Sequence, residues 1–398
     1  MSGPLSGLKI LDFTGLLPGP FATMMLADMG ADVLRIEAPK RLDLLRLMRP
    51  QYHGSSSAHA QLKRGKRSLG IDLSIPAAKD LVVELIENAG YDILFEGFRP
   101  GVMKKLGLGY EELSQRFPQL IYCSMTGFGQ DGPRAKTAGH DINYMALSGV
   151  SSYTGRKDSG PAPQGLQVAD LAGGSCHSVI AMLAAVIHRQ ATGEGQHCDI
   201  AITDATLALN ALFGPGFLES EQDPDFESLE LNGSSLYDYY RCFDGRYLAF
   251  GGLEPKFVAA FLGTLGKEDW LPKLADPKLP ASDIATLKSE IAYDISQHPL
   301  AHWLELFSRV DACVSAVQNF SEVAADPHFK ARDMIVCVDD EAGNQRRQIG
   351  SPFKFSKTRT TMGHAGCPLG AHNDIVLQRE LGYSQQKMSD LQKQGIFG

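Results

Sequence analysis

From residue 8 onward the chain alternates short apolar runs with stretches of helical period. Residues 9–13, KILDF, read as a buried strand. A Pro-Gly-Pro turn leads into a helical stretch at 20–30, PFATMMLADMG, which ends on glycine. Residues 31–37, ADVLRIE, are a second strand. This is a βαβ unit, the building block of a parallel sheet. The pattern recurs: an amphipathic helix at 77–90 precedes the strand 91–98, YDILFEGF, and a short helix at 110–117 precedes the strand 120–129, LIYCSMTGFG. Such alternation predicts an α/β fold with an open, Rossmann-like parallel sheet and ligands at the carboxyl ends of its strands.

The second half reads differently. Residues 175–193, SCHSVIAMLAAVIHRQATG, form a long apolar helix closed by glycine, and 195–213 read as strand then helix. Residues 219–233 are acidic and turn-rich, which suggests a linker. Residues 237–252 make a hairpin around Asp244-Gly245, helical segments without obvious strands continue to about 330, and 334–356 form another hairpin around Ala342-Gly343-Asn344. A polar helix ends near Leu391. The pattern predicts a large domain over 1–210, a smaller α+β domain over 225–330, and a return of 335–398 to the large domain.

Composition narrows the classes. The 398 residues exceed one ordinary core, and 43% of them are hydrophobic. A net charge of -8 argues against a general nucleic-acid binder. The N-terminus lacks the charged and apolar regions of a signal peptide, and the apolar stretches fall short of a bilayer span, so no membrane insertion is expected. The seven scattered cysteines contain no CxxC pair, so neither a disulfide framework nor a metal site is expected, and a cytoplasmic location fits.

One glycine motif is a decoy. GFGQDG at 127–132 matches a dinucleotide fingerprint, but Pro133 and the residues after it do not begin a helix. Basic residues are more open: Lys63, Arg64, Lys66 and Arg67 cluster in LKRGKRS, and Arg99, Lys104 and Lys105 follow a strand end. They read equally as solvated charge or as a phosphate-binding pair of loops. Among titratable groups, His140 and Asp141 follow a glycine, Asp170 heads the long apolar helix, and Glu254 precedes a proline. Each alone fits a structural or capping role as well as a chemical one.

Together these stretches resemble the class III CoA-transferase superfamily, also called CaiB/BaiF. LSGLKILDFTGLLPGPFATMMLADMGADVLRIE is similar to its N-terminal signature, and FEGFRPGVMKKLGLGYEEL and HRQATGEGQHCDIAITDA to later motifs. Within that superfamily, GHDINY, VADLAGGS and LEPKF, in that order, are similar to the α-methylacyl-CoA racemases. The resemblance implies an interlocked homodimer, an acyl-CoA substrate, and no metal or cofactor beyond the CoA moiety. It implies that His140 and Asp170 are an acid–base pair, that Glu254 orients the histidine and that Asp141 supports the loop. For CoA it implies contacts from Ile71, Asp72, Leu73, Ser74, Gly97, Phe98, Arg99, Lys105, Gly139 and Tyr144. Where racemases carry a CoA-contacting arginine this chain has Ala38, with Lys40 and Arg41 nearby as substitutes.

The chemistry is consistent with that assignment. Inverting a carbon beside a thioester carbonyl removes a proton from one face and returns one to the other. An imidazole serves in either state near neutral pH. An aspartate serves only where its site raises its pKa, as an apolar pocket would. Backbone N–H groups at the start of the helix after Asp170 are candidate donors to the enolate oxygen. Transferase relatives instead use the aspartate as a nucleophile that forms an acyl anhydride.

Overall fold

A computed structural model describes residues 3–397. By internal contacts the chain divides into two units. The first comprises 1–148, 165–209 and 327–398; the second comprises 149–164 and 210–326. Residues 149–164, given to the large domain by sequence pattern, thus group with the second unit.

In the first unit, six strands lie in the order His197–Ala201, Ile121–Thr126, Ile93–Glu96, Lys9–Asp12, Asp32–Glu37 and Lys66–Gly70. All neighbours are parallel, with Lys9 opposite Asp32, Ile10 opposite Ile93 and Glu96 opposite Ser124. Counted along the sheet in chain order this is 3-2-1-4-5-6, the doubly wound arrangement. The order reverses between Lys9–Asp12 and Ile93–Glu96, so the crevice opens between the loops that follow these two strands. Those loops touch: a Cβ built on Gly97 would lie 3.8 Å from Thr14 Cγ2.

The helices form where the pattern predicts. Pro76–Ala89 starts with proline in its first turn and ends at Gly90, whose φ of 72° is left-handed. It buries Ala78, Leu81, Val82, Leu85 and Ile86 against Leu11, Leu34, Leu69 and Leu94 of the sheet. Val376, Leu377, Leu391 and Ile396 join the same core, so the C-terminal segment packs on this unit.

The long apolar helix exceeds the sequence expectation. A wide, π-type stretch over Ala169–Cys176 runs directly into His177–Thr192. The resulting 24 helical residues are long and apolar enough, by length and composition alone, to cross a bilayer. Sequence pattern missed this because Asp170 and two glycines interrupt the apolar run. Here Ala169, Gly173, Gly174, Ser175, Val179, Met182 and Val186 are buried inside the unit.

The second unit holds an antiparallel sheet of Asp238–Arg241, Tyr247–Phe250 and Val314–Ala316. The third strand corrects the expectation of an all-helical stretch to residue 330. It is too short, at three residues, to leave an alternating pattern. Its core stacks Phe250 on Phe261, with centroids 3.9 Å apart, and adds Trp303 and Phe307. The hairpin of Ile335–Asp339 and Gln345–Ile349 forms as predicted.

Candidate active site

Because the first unit's sheet is parallel, the loops after its strands leave one edge. The loop after Ile121–Thr126 carries GFGQDG; Gly129 and Gly132 adopt φ of 81° and 82°, and the next helix begins only at Asp141. It is a loop bent at left-handed glycines, and no helix starts at the motif, so the dinucleotide fingerprint is absent, as the sequence suggested.

That loop delivers His140 to the N-cap of Asp141–Leu147, where His140 N–H donates to Asn143 Oδ1 at 3.1 Å. The imidazole is exposed. Tyr144 braces the turn: its ring is buried, and its hydroxyl donates to Gly139 O at 2.6 Å. A Cβ on Gly139 would come within 2.7 Å of that ring, which is why glycine stands there. The Tyr144 side chain is therefore a strut for this turn.

Asp170 meets this turn. Its backbone N–H donates to Asp141 Oδ1 at 2.9 Å, tying the head of the long helix to the residue beside His140. Its carboxyl is half-buried and has no hydrogen-bond partner among the described residues. Burial, then the like charge of Asp141, pushes its pKa up to about 6 against a smaller opposing pull from His140. The capping alternative for Asp170 is not realised, since Val168 holds the N-cap and Asp170 lies inside the first turn.

Small residues allow this placement. A Cβ on Gly173 would come within 2.8 Å of Thr206 Oγ1, and one on Gly174 within 3.0 Å of Ile202. Ser175 Oγ lies 2.7 Å from Pro18 O and 3.0 Å from Asp170 O, joining the π-type stretch to the first turn of the helix Pro18–Asp28. Sequence reading did not single out Ser175 or this wide turn. The run Gly173-Gly174-Ser175 was the available signal, because interior helix glycines mark close approach. The first backbone donors expected for an enolate are occupied: Asp170 N–H by Asp141, and Leu171 N–H by Gln167 O at 3.0 Å.

The residues assigned to CoA by resemblance fall largely on the same edge. After Lys66–Gly70, Asp72 Oδ1 accepts from Ser74 N–H at 3.0 Å and lies 2.6 Å from Ser74 Oγ. Lys40 Nζ lies 3.2 Å from Asp72, so the cation near Ala38 is held at this loop. Ile71 is fully buried and its N–H donates to Glu37 O at 2.9 Å, while Leu73 packs against the core. Gly97 and Arg99 are exposed on the turn after Ile93–Glu96, Phe98 is half-buried between them, and Lys105 is exposed on the next helix. Glu254 belongs to the second unit, at the exposed N-cap of Pro255–Thr264, where its side chain forms no cap.

The basic cluster at 63–67 is not a phosphate site. Lys63 lies 3.2 Å from Asp43, Arg64 lies 2.6 Å from Asp28 and Lys66 lies 3.5 Å from Asp12, all buried. Arg67 pairs with Asp32 at 2.7 Å and also with Glu380. The acids that neutralise these cations come from distant strands and turns, so a local reading of LKRGKRS could not see them. Lys104 pairs with Glu111 at the surface.

One metal-competent grouping escaped the sequence reading. Ligand atoms of Glu341, His364 and His372 lie within 4.8 Å of one another. However, His372 Nδ1 accepts the Ser68 N–H at 3.1 Å. That bond assigns the ring proton to Nε2, the atom facing Glu341, and leaves no lone pair there for a metal.

The sequence pattern of CoA-transferase family III matches residues 5–373. α-Methylacyl-CoA racemase from Homo sapiens is 34% identical over 396 residues, covering 99% of this chain and 97% of that protein. Succinate–glutarate CoA-transferase from Agrobacterium fabrum is 33% identical over 389 residues, covering 94% and 95%. A CaiB/BaiF family protein from Brucella suis superposes with a TM-score of 0.83 at 29% identity, covering 96% of this chain and all of that one.

Proposed function

The chain belongs to CoA-transferase family III, and from that premise we propose that it racemises 2-methylacyl-CoA thioesters by two-base proton transfer. His140 and Asp170 are the two bases. One removes the α-proton, leaving an enolate; the other delivers a proton to the opposite face, and the thioester carbonyl re-forms. The observation that carries this reading is the joining of the Asp170 N–H to Asp141, next to His140, together with a carboxyl raised to about 6. A carboxyl in that range exchanges protons near neutral pH far more readily than an ordinary aspartate.

The alternative is CoA transfer with Asp170 as nucleophile, and the similarity to the Agrobacterium fabrum transferase favours it. A nucleophilic carboxylate works ionised, so a site that favours the neutral form suits proton transfer better. The reaction takes no metal and no cofactor beyond the CoA of its substrate. Ile180, Ile187 and Leu207 expose large apolar side chains on the first unit, which a homodimer would cover. The seven unpaired cysteines suit a reducing cytoplasm.

The test is incubation of single enantiomers of several 2-methylacyl-CoA esters in D2O. The expected outcome is α-deuterium uptake with loss of optical purity. No uptake on any ester would sink the racemase reading. Hydroxylamine trapping of an Asp170 acyl group during turnover would establish transfer instead.

A further inference from the structure

Apart from the His140–Asp170 pair, three polar side chains converge beside the turn that follows Ile93–Glu96. Glu96 and Ser124 sit opposite each other in register and are both almost fully buried. Ser124 Oγ lies 3.1 Å from His197 Nε2, and His197 stacks on Tyr110 with centroids 4.8 Å apart. The Glu96 carboxyl accepts the Phe98 N–H at 2.7 Å. These side chains line one cavity of about 590 Å3, whose wall also includes Arg99.

We propose that Glu96 is a positioning residue: its carboxylate, linked through Ser124 to His197, holds the Phe98 N–H and so fixes the Gly97–Phe98–Arg99 turn in the shape that meets CoA. This rests on the reading of that turn as a CoA contact. The turn stands at the point where the strand order reverses, so a small change in its backbone changes the mouth of the crevice. A fixed turn spares the ordering cost on binding.

The link is sensitive to pH. Burial raises the Glu96 carboxyl to about 7, against hydrogen bonds from Ser124 and Phe98 N–H, with a further upward push from Asp199. The other charged or titratable groups facing it are Arg99 on its own turn, Lys104 on the next helix, Tyr110, Glu111 and Glu112 on Tyr110–Arg116, Tyr122 and Cys123 on its neighbouring strand, and His197. As pH rises through 7, Glu96 becomes the ionised, stronger acceptor for the Phe98 N–H.

The experiment measures the Kd of CoA itself, from pH 6 to 8, for the wild type and for Glu96→Gln. The glutamine oxygen still accepts from Phe98 but does not ionise. The 3′-phosphate of CoA titrates alike in both proteins, so the readout is the ratio of their Kd values. The wild type should bind roughly five-fold tighter than the variant at pH 8 and about equally at pH 6. A ratio that does not change with pH overturns the proposal. Ser124→Ala, which leaves Glu96 in place, should move the midpoint of the wild-type profile to higher pH; an unmoved midpoint also overturns it. Because CoA carries no α-carbon to racemise, these outcomes are independent of the deuterium test. Failure of the wild type to bind CoA at any pH would instead overturn the reading of the turn, and the proposal with it.

Discussion

Around Asp43, burial meets two cations; around Asp170, burial meets another carboxylate. Burial alone would raise both carboxyls. At Asp43, Lys63 at 3.2 Å and Arg35 at 2.9 Å more than reverse that push and leave it below its ordinary range. At Asp170, Asp141 adds to the push and the carboxyl stands at about 6. Both residues lie in the same unit: Asp43 caps the short turn Leu44–Arg46 after the strand Asp32–Glu37, and Asp170 lies in the first turn of the long helix. The difference shows that burial decides little until the partner's sign is known. A paired carboxylate serves as a strut, whereas one pressed toward neutrality beside an imidazole can trade protons.

The largest effect should follow from removing the chemistry at the second of these places. Asp170→Asn keeps size and shape but cannot accept the proton, so α-deuterium exchange should fall roughly 100- to 10,000-fold for at least one enantiomer. His140→Ala should do the same for at least one enantiomer; full retention from both would remove His140 from the reaction. The same Asp170→Asn change should stabilise the protein. The sign follows from the raised pKa: the neutral form is favoured on folding, so the wild type's advantage is present below the unfolded pKa and lost as pH rises through about 6. With the group only half-buried, a gain of about 1 kcal/mol at pH 8 is expected from denaturant titration. An inactive variant no more stable than the wild type would mean that Asp170 is not held against its charge.

The paired region should respond in stability instead of chemistry. Arg35→Met leaves Asp43 and Glu37 buried with fewer cations and should cost about 3 kcal/mol. Both carboxyls sit below their ordinary values, so their contribution is present above the unfolded pKa and lost as pH falls through the lowered folded values. Chemical denaturation at several pH values should therefore show a wild-type advantage that shrinks in acid. A variant as stable as the wild type at neutral pH would break the contrast.

How much of this the sequence disclosed follows the same division. Period and turn residues revealed the alternating strands and helices, because burial on a parallel sheet is a local pattern repeated. His140 and Asp170 came instead from a resemblance carried by short motifs. The charges in LKRGKRS were unreadable locally: Asp12, Asp28 and Asp43, which neutralise Lys66, Arg64 and Lys63, lie 20 or more residues away along the chain. The network of Glu96, Ser124 and His197 was hidden for the same reason, since its members sit on three strands joined only by sheet register. Asp170 was placed at the head of the long helix, but the wide turn there was not, because it depends on Gly173 and Gly174 packing against Thr206 and Ile202.

The finest test acts on the like charge itself. Asp141→Asn keeps an oxygen able to accept the Asp170 N–H, so the 2.9 Å tie and the position of the helix head should survive. What disappears is one negative charge beside Asp170. Burial, the larger cause of the raised pKa, remains, so Asp170 should stay above an ordinary aspartate while moving down from about 6. In the direction where Asp170 acts as base, the exchange rate rises as this carboxyl ionises. The acid limb of the rate–pH profile should therefore shift to lower pH by a fraction of a unit, with the plateau rate held within roughly threefold. If the limb stays where it is, Asp141 shapes the loop without tuning the base. If it moves to higher pH, the electrostatic account of this site has the wrong sign.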